Sequence, residues 1–418
     1  MSTMDKLILH CDLNNFFATA SLTQHPDLAD GPVAVAGDPE KRHGIILAKN
    51  MPAKIKGVKT AEPIWKAMQK CPDLVLLKPD YALYVQYSER VKEIYYRYTG
   101  NIEPFGIDEA WLDISEHGKD IAFGTKTAHA IREAVKKETG LTVSIGVSFS
   151  KVFAKLGSDY KKPDAVTTIS RENYQSLIWP LPVGELLCVG YATAKKLSKI
   201  AITTIGELAC ASPEVLKHLL GKNGLMLKDF ANGVDDSAVK AVDHAFGFKG
   251  IGNSMTTVRD LVCDDDVKIA FLMLAEMVSA RMREKEVCAG CITIYLRDNS
   301  LQYISRQKTL ETPTFVSDEI ADISMALFRQ HWQIEGRPIR SIGIRASEFM
   351  PIYHTAQVCF FEREDIRKKQ NLEFAKDRIN QKFGKNTVVR ATFMDDSAPK
   401  EQHDNALHDV HPLSFFRG

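Results

Sequence analysis

Three carboxylates stand in apolar surroundings, where an unpaired charge is energetically costly. Asp12 ends the apolar run 7–11, and Asp108 and Glu109 are neighbours within a segment, 102–114, that alternates with period two. Buried carboxylates need a partner. Hard oxygen ligands suit Mg²⁺, and two such ions assist in-line phosphoryl transfer. The residues therefore suggest a divalent-metal site, and the alternative is a solvated hairpin turn with Asp108 and Glu109 at its tip.

The apolar pattern predicts the elements that position these residues. Strands and helices are mixed up to about residue 164, short helices with glycine breaks follow over 178–234, and a second α+β module comes next. The predicted strands span 7–11, 33–37, 44–48, a pair within 102–114, 141–148, 291–296, 302–310 and 339–347. The predicted helices span 63–68, 81–98, 125–139, 270–283, 317–331 and 364–383. We expect a linker at 235–249 and a polar tail after residue 349.

Composition places the chain among globular proteins with several domains. Its 418 residues are 44% hydrophobic and 26% charged, and its net charge of +1 does not indicate a nucleic-acid partner. No apolar run is long enough for a membrane span, and the N-terminus does not resemble a secretory signal. The eight cysteines are dispersed, which is typical of reduced thiols in a cytoplasmic protein. The lone pair Cys288 and Cys291 favours a turn before a strand over a zinc or redox site.

Four segments, taken in order, resemble the motifs of the Y-family translesion DNA polymerases. They are 12–18 (DLNNFFA), 48–58 (AKNMPAKIKGV), 106–113 (GIDEAWLD) and 150–163 (SKVFAKLGSDYKKP). The resemblance covers roughly residues 5–350 and is strongest to the bacterial DNA polymerase IV branch of that family.

The resemblance implies an α+β multidomain fold, the right-hand polymerase with palm, fingers, helical thumb and α+β little finger. A small palm sheet flanked by helices is expected to bring Asp12 and Asp108 onto adjacent strands. The expected boundaries are 1–18 and 78–165 for the palm, 19–77 for the fingers, 166–234 for a helix-hairpin-helix thumb, 243–349 for the little finger and 350–418 for a C-terminal tail.

The same resemblance implies low-fidelity translesion synthesis, a template-directed nucleotidyl transfer from a dNTP to a primer 3′-hydroxyl. Asp12, Asp108 and Glu109, with the carbonyl of Leu13, would hold two Mg²⁺ ions, and Asp108 and Glu109 would be the catalytic pair. The expected partners are primer-template DNA, dNTP and a sliding clamp, with no membrane, for a cytoplasmic monomer.

Residues around the nucleotide are implied in the same way. The amides of Asn15 and Phe16 would face the triphosphate, the ring of Phe17 would act as a steric gate against a 2′-hydroxyl, and Lys162 would bind the triphosphate. From the residues alone, core packing is the alternative for the two phenylalanines. A solvated lysine is the alternative for Lys162.

The chain departs from the family pattern at four positions near this site. Asn14 stands where the family commonly has Asp, Met51 where it has Tyr, Lys54 where it has Arg, and Gly106 where it has Ser. Met51 and Lys54 remain nucleotide-binding positions, but one lacks a hydroxyl and the other lacks the two-pronged guanidinium. We expect weaker nucleotide binding from a site whose metal carboxylates are intact.

The expected DNA contacts lie in two later segments. Segment 181–197 resembles the thumb hairpin, in which Gly190, Lys195 and Lys196 would meet a phosphate, although Cys188 replaces a usual glycine. An ordinary packing corner is the alternative. Segment 221–225 resembles a second hairpin. The arginines expected to contact DNA from little-finger strands are Arg297, Arg306, Arg340 and Arg345.

The tail contains a pentapeptide that resembles the one by which polymerase IV docks on the bacterial sliding clamp. Its residues are Gln357, Val358, Cys359, Phe360 and Phe361. A glutamine, an aliphatic residue and terminal aromatics suit a hydrophobic groove. An edge strand is the alternative. The basic helix that follows is typical of a solvated face.

Two other functions stay open at this stage. A catalytically weak or inactive DNA- and clamp-binding protein is suggested by Met51, Lys54 and Cys188, and is opposed by the intact carboxylates. A nucleotidyl cyclase would use two metals on a similar palm, but would have no use for the thumb-like hairpin.

Overall fold

The computed structural model describes residues 6–38, 44–118, 120–240, 248–352, 363–384 and 387–393. The chain divides into two compact units. The first includes described residues 6–37 and 45–240, and the second includes residues 38, 44 and those from 248 onward.

The first unit is built on a five-stranded sheet. Its strand order is β5-β6-β1-β7-β8, with β7 and β8 parallel and the other neighbours antiparallel. The elements of this unit are β1 (Ile8–Leu13), α1 (Phe16–Leu22), β2 (Val33–Ala36), β3 (Ile46–Lys49), α2 (Met51–Ile55), α3 (Ile64–Lys70), β4 (Val75–Leu77), α4 (Tyr81–Tyr96), β5 (Ile102–Pro104), β6 (Glu109–Asp113), α5 (Ile121–Thr139), β7 (Val143–Ser148), α6 (Lys151–Tyr160), β8 (Val166–Ile169), α7 (Tyr174–Ile178), α8 (Tyr191–Ser198), α9 (Ile205–Cys210), α10 (Pro213–Leu220) and α11 (Lys222–Ala231).

Both faces of this sheet are covered by helices. Residues on α4 and α5 pack against alternate residues of β1, including Leu9 and Cys11, while Ile8 points to the other face and packs against Ala154 of α6. Helix α6 approaches the sheet closely at Gly146. A Cβ there would come within 1.8 Å of the Ala154 carbonyl oxygen, so glycine is required at this crossing. The close contact fixes the position of α6, which carries side chains of the site described below.

A smaller sheet and a group of short helices complete the first unit. The sheet has the order β3-β2-β4 and packs with α2 and α3. Helices α7 to α11 share a core with the apolar side of α6, which contributes Val152, Phe153 and Leu156. In the predicted thumb hairpin Cys188 has a φ of 73°, a left-handed conformation that suits glycine better than cysteine. The hairpin therefore forms without the missing glycine, at some cost in backbone strain.

The second unit is an antiparallel sheet with two helices on one face. The strand order is β11-β10-β12-β9, and the helices α12 and α13 pack on the face that carries Ile292, Ile294 and Leu296. Its elements are β9 (Gly250–Leu261), α12 (Asp264–Glu284), β10 (Val287–Asp298), β11 (Tyr303–Thr314), α13 (Ser317–His331), β12 (Ile339–Pro351) and α14 (Arg363–Phe383).

Most predicted elements form, but α2, β4, α6 and β8 were not predicted, and Cys288 and Cys291 lie within β10 rather than in a turn before it. Strand β9 was not predicted, because its polar residues give no clear alternation; it is held by its pairing with β12. Helix α14 was predicted to have a solvated face. This prediction is wrong for the side that carries Glu373, which is buried, and Phe374, which packs against Phe315. The domain boundaries given above stay predictions.

Candidate active site

The register of the large sheet brings the three carboxylates to one end of two neighbouring strands. Asp12 of β1 lies directly opposite Glu109 of β6, so their side chains share the face covered by α6. The amide of Leu13 donates to the carbonyl of Asp108 at 3.0 Å. Asp108 ends the turn between β5 and β6. Asp108 and Glu109 therefore do follow a hairpin turn, but Glu109 lies in β6 rather than at the tip, and neither residue is fully exposed to solvent.

Helix α6 and the loop after it supply two lysines to these carboxylates. The ammonium of Lys155 is hydrogen-bonded to Oε2 of Glu109. The ammonium of Lys162 lies 2.7 Å from Oδ2 of Asp12 and 2.7 Å from Oδ1 of Asp159. The lysine expected at the triphosphate thus lies against Asp12, a carboxylate predicted to bind metal, as its positively charged partner.

A buried histidine supports Glu109 from inside the protein. Nε2 of His10 lies 3.2 Å from Oε2 of Glu109, and Nδ1 lies 2.8 Å from the hydroxyl of Ser158 on α6. Nδ1 is hydrogen-bonded to Ser158, whereas Nε2 lies near the charge of Glu109 without a hydrogen bond of good geometry. Nε2 of His10 and the ammonium of Lys155 both lie close to Oε2 of Glu109. The other carboxylate oxygen of Glu109 is therefore left for a further partner.

The two lysines do not balance the negative charge of the cluster. Burial raises the pKa of Asp12 to about 7 against the effect of Lys162, and burial with the charge of Glu109 raises the pKa of Asp108 to about 6. Burial alone would raise the pKa of Glu109. The contact with His10 and the charge of Lys155 outweigh this effect and lower the pKa to about 2. Burial lowers the pKa of His10 to about 4, so this ring is neutral at pH 7. Two of the three carboxylates therefore lack sufficient positive charge.

The donor set suits a hard divalent cation. Within the described part of the chain, no three histidine, cysteine or acidic side chains already surround a common point as an assembled metal site does. Asp12 and Glu109 hold lysines instead. The oxygen donors and the raised pKa values of Asp12 and Asp108 nevertheless fit a site that binds additional positive charge.

The turn between β1 and α1 contains Asn14 and Asn15 and leads into the other predicted nucleotide-binding residues. Asn14 is buried; its amide nitrogen donates to Ser144 at 2.8 Å and its oxygen accepts from the amide of Asp164 at 2.8 Å. It thereby ties the end of β1 to the loop that carries Lys162. Asn15 has a φ of 51°, and its left-handed conformation starts α1.

The two phenylalanines after this turn have different environments. Phe16 is buried in the core between α1 and α4, as the core-packing alternative predicts. Phe17 is only half-buried. The ring of Phe17 stacks on Tyr84 with centroids 4.3 Å apart and planes 9° apart. Phe17 therefore presents part of its ring outside the core, as a gate requires.

The remaining predicted nucleotide residues lie on α2. Met51 is half-buried and Lys54 is exposed, at the start and in the last turn of this helix. Asn50 caps the helix, accepting from the amide of Ala53 at 3.1 Å. Burial and the nearby charge of Lys54 lower the pKa of Lys49 on β3. Two lysines close enough to affect one another form a positive patch that suits phosphate.

The predicted DNA contacts of the first unit are exposed. Gly190 precedes α8 without a side-chain cap, and Lys195 and Lys196 in the last turn of this helix face solvent. Free backbone amides at a helix start, with lysines nearby, can hold a phosphate.

The arginines predicted to contact DNA do not share one face of the sheet in the second unit. Arg345 lies opposite Thr293, on the face away from α12 and α13, and Arg297 shares that face. Arg306 lies opposite the core residue Ile294, so its Cβ points to the helical side at the sheet edge. Arg340 lies at an irregularity in the pairing between β12 and β9. The clamp-like pentapeptide, Gln357 to Phe361, falls outside the described residues.

Sequence reasoning missed the residues that support the carboxylates. In the sequence, His10 is part of an apolar run, and Lys155 and Ser158 lie within a motif that assigns them no role. A signal existed for His10, because it precedes Asp12 by two residues and a strand places such residues on one face. No local signal shows that Lys155 reaches Glu109, because that contact depends on how α6 crosses the sheet.

Most of the chain is similar to known proteins. The model of the impB/mucB/samB family matches residues 11–159, and that of the impB/mucB/samB family C-terminal domain matches residues 248–357. DNA polymerase IV of Acetivibrio thermocellus is 44% identical over 396 residues, covering 94% of this chain and 98% of that protein. DNA polymerase IV 1 of Bacillus subtilis is 34% identical over 385 residues, covering 92% of each chain.

A solved structure shares the fold. A Y-family DNA polymerase chimera has a TM-score of 0.73 and 22% sequence identity, covering 82% of this chain and 99% of the chimera. The likeness confirms the expected α+β multidomain polymerase fold. None of the described helices is both long enough and apolar enough to span a membrane.

Proposed function

Because this chain belongs to the impB/mucB/samB family of Y-family DNA polymerases, we propose that the carboxylates where β1 and β6 meet are the centre of nucleotidyl transfer. The chain is a DNA-directed DNA polymerase of the translesion class, like the relatives that it matches over nearly its whole length. The observation that carries the catalytic assignment is the pairing of Asp12 with Glu109 in register, beside Asp108, with raised pKa values for Asp12 and Asp108. The relatives favour this function over an inactive binding protein or a cyclase.

Asp12, Asp108 and Glu109, with the carbonyl of Leu13, would hold two Mg²⁺ ions. When bound, these ions favour attack by the primer 3′-hydroxyl on the α-phosphorus and stabilise the charge of the departing pyrophosphate. The chain's own part is to present the oxygens. Strand pairing aligns Asp12 with Glu109, and His10 and Lys155 hold one oxygen of Glu109 so that the other can face the ions.

Lys162 has a second role in this proposal. Its ammonium lies 2.7 Å from Asp12, and therefore beside the position where phosphate oxygens must approach the metal-binding carboxylates. A cation held by Asp12 would compete with Lys162 for this carboxylate, and the ammonium of Lys162 would then be available to the triphosphate. Asn14 keeps the loop of Lys162 attached to the sheet through its bond to the amide of Asp164.

The nucleotide would enter along the turn between β1 and α1. The amides of Asn15 and Phe16 meet the triphosphate, and Phe17 lies under the sugar. Lys54 and Lys49 supply positive charge from α2 and β3, in place of the family's arginine. The loss of the usual hydroxyl at Met51 weakens nucleotide binding without removing the catalytic carboxylates.

Sequence-independent contacts would hold the DNA. Gly190, Lys195 and Lys196 meet phosphates at the start and along the exposed side of α8. Arg297 and Arg345 meet them from one face of the sheet in the second unit. Arg306 and Arg340 belong to the same predicted set.

A clamp contact, a monomeric state and a cytoplasmic location complete the proposal. The pentapeptide from Gln357 to Phe361 has the residue types that fill a hydrophobic groove. Deleting it should leave synthesis on a short primer unchanged and should abolish stimulation by a bacterial sliding clamp. Equal stimulation of the deletion variant would remove the clamp from the proposal.

Primer extension tests the catalytic assignment directly. A 5′-labelled primer is extended with dNTPs and Mg²⁺ on undamaged and abasic templates, and DNA affinity is measured by fluorescence anisotropy. Wild-type protein should extend, and Asp108→Asn should bind DNA with unchanged affinity and fail to extend. Glu116→Gln, which changes an exposed acid after β6, is the matched control and should behave as wild type.

The contrary results are equally definite. If wild type and Asp108→Asn bind DNA and neither extends under any metal tested, the chain is the binding protein of the alternative. If Asp108→Asn extends at the wild-type rate, the carboxylate assignment is wrong.

A further inference from the structure

We propose that Tyr84 fixes the ring of Phe17 and thereby sets the enzyme's selectivity for deoxynucleotides. Tyr84 lies on α4, outside the segments whose resemblance assigned nucleotide contacts, and it acts here as a positioning residue behind the gate. The inference rests on the proposed function, because it takes Phe17 as the residue under the sugar. The variant Phe17→Ala distinguishes failure of the inference from failure of the proposed function.

The contact between the two rings is close and nearly parallel. Their centroids are 4.3 Å apart and their planes differ by 9°. Tyr84 has no solvent exposure, whereas Phe17 is half-buried. One face of Phe17 is therefore covered by a ring that belongs to the core, and the gate cannot move in that direction without displacing Tyr84.

Tyr84 is itself attached to the helix that carries Phe17. Its hydroxyl is hydrogen-bonded to that of Ser21 at 2.7 Å, and both groups are buried. Ser21 is four residues after Phe17, so the two lie on the same side of α1. Helix α1 thus holds Tyr84 at two points, through the stacked ring and through the hydroxyl. The orientation of the gate becomes a property of the α1–α4 contact.

A third aromatic residue closes the arrangement. Tyr81, one turn earlier on α4, meets Phe17 edge-on with centroids 6.0 Å apart and meets Tyr84 edge-on at 5.8 Å. Parallel and edge-on contacts are both favourable for aromatic rings. Phe17 is therefore restrained on one face by Tyr84 and from the side by Tyr81.

This restraint matters because a steric gate selects by resisting displacement. A 2′-hydroxyl is small, so a ring that retreated slightly would accept a ribonucleotide. A ring already in contact with a buried neighbour cannot retreat, because protein interiors are close-packed. Weakening the support should then raise ribonucleotide incorporation and leave deoxynucleotide incorporation nearly unchanged.

The test compares kcat/KM for dCTP and CTP opposite template dG in the full-length protein. Tyr84→Leu removes the stacked ring but keeps an apolar side chain, and selectivity should fall about tenfold through a higher kcat/KM for CTP. Tyr96→Leu is the matched control, since Tyr96 lies on the same helix and is 56% exposed; it should keep wild-type selectivity. A merely structural role for Tyr84 would lower both values together and leave their ratio unchanged.

Two smaller substitutions test the hydrogen bond between the hydroxyls. They also keep the inference testable if Tyr84→Leu fails to fold. Tyr84→Phe and Ser21→Ala each remove the same hydrogen bond, so each should lower selectivity about threefold. The double variant should equal either single variant, because both remove one interaction. Additive losses would show that the two residues act separately and would overturn the shared contact.

Phe17→Ala separates this inference from the proposed function. It should lower selectivity by about 100-fold, as expected for the loss of a steric exclusion. If Phe17→Ala keeps its selectivity, the gate assignment in the proposed function fails. If Phe17→Ala loses selectivity while Tyr84→Leu, Tyr84→Phe and Ser21→Ala keep it, the gate stands and the supporting role of Tyr84 is wrong.

Discussion

Each unit of the molecule buries a cluster of charged side chains, and the two clusters are balanced differently. In the second unit, the buried guanidinium of Arg283 lies 2.6 Å from Asp377 and 3.1 Å from Glu373, and Ser317 also donates to Glu373. The nearby Glu276 meets Lys376 at 2.7 Å and Arg390 at 2.5 Å. Each acid of this cluster has at least one cation partner, including the exposed Asp318, which pairs with Arg390 at 2.7 Å, and the contacts attach α14 to α12 and α13.

The cluster of the first unit keeps an excess of negative charge. Three carboxylates share two lysines, and the pKa values of Asp12 and Asp108 are raised. A matched cluster stabilises one arrangement of the chain, whereas an unmatched one is costly unless something binds there. The difference distinguishes a structural contact from a functional site without any reference to the reaction.

The largest expected effect is the loss of activity in Asp12→Asn, which should come with a gain in stability. Primer extension should fall by about 10³-fold or more, because a carboxylate proposed to hold the metal is gone. At pH 8 without divalent metal, the free energy of unfolding should rise by about 1–3 kcal/mol, because an ionised buried carboxylate is removed. Single-turnover extension and denaturant unfolding measure the two effects. A variant that loses both activity and stability would contradict the comparison.

The matched cluster should respond in the opposite way. Arg283→Met should lower the free energy of unfolding by about 3–5 kcal/mol, because the buried Glu373 would lose its nearest cation and Asp377 would lose its partner. Arg329→Met is the control, since Arg329 is 62% exposed and pairs with Asp264 at 2.9 Å; it should change stability by about 1 kcal/mol or less. Denaturant unfolding measures both. Equal effects would show that burial does not distinguish the two pairs.

The pH dependence of the metal-free protein should carry the signature of Asp12 and Asp108. Their pKa values rise from 3.8 to about 7 and about 6 on folding, so the folded state binds more protons between these limits. Their contribution to stability is fully present below about pH 4 and is lost as the pH rises through 6 and 7. The melting temperature in EDTA should therefore decline over this range, and less so in Asp12→Asn. Added Mg²⁺ should stabilise the protein more at pH 8 than at pH 6, and an equal Mg²⁺ effect at both would contradict the assignment.

The smallest effect is expected within the matched cluster, where one acid has two cations. Lys376→Met should lower the free energy of unfolding by only about 1 kcal/mol, because Arg390 still binds Glu276. The double variant with Arg390→Met should lose more than the sum of the single losses, since Glu276 then has neither cation. Simple additivity in a double-mutant cycle would show that the two cations act independently.

Local sequence patterns predicted much of the first unit's sheet. The apolar run before Asp12 forms β1, and the alternating segment forms β5 and β6, because side-chain period reflects which face is buried. Strand β9 escaped prediction because it is a polar strand that depends on its pairing with β12. The arginines were predicted as one set, but only the register shows that Arg306 and Arg345 point to opposite faces.

The sequence by itself determined which residues can do the chemistry and that two strands end beside them. Motif order predicted the family, and residue types predicted a site for a cation and phosphates. Only the tertiary structure decided how those residues are supported, with His10 and Lys155 on Glu109, Lys162 on Asp12 and Tyr84 behind Phe17. The physical reason is that hydrogen bonds and ring contacts between distant segments depend on how helices cross the sheet and each other. No local pattern in the chain records that geometry.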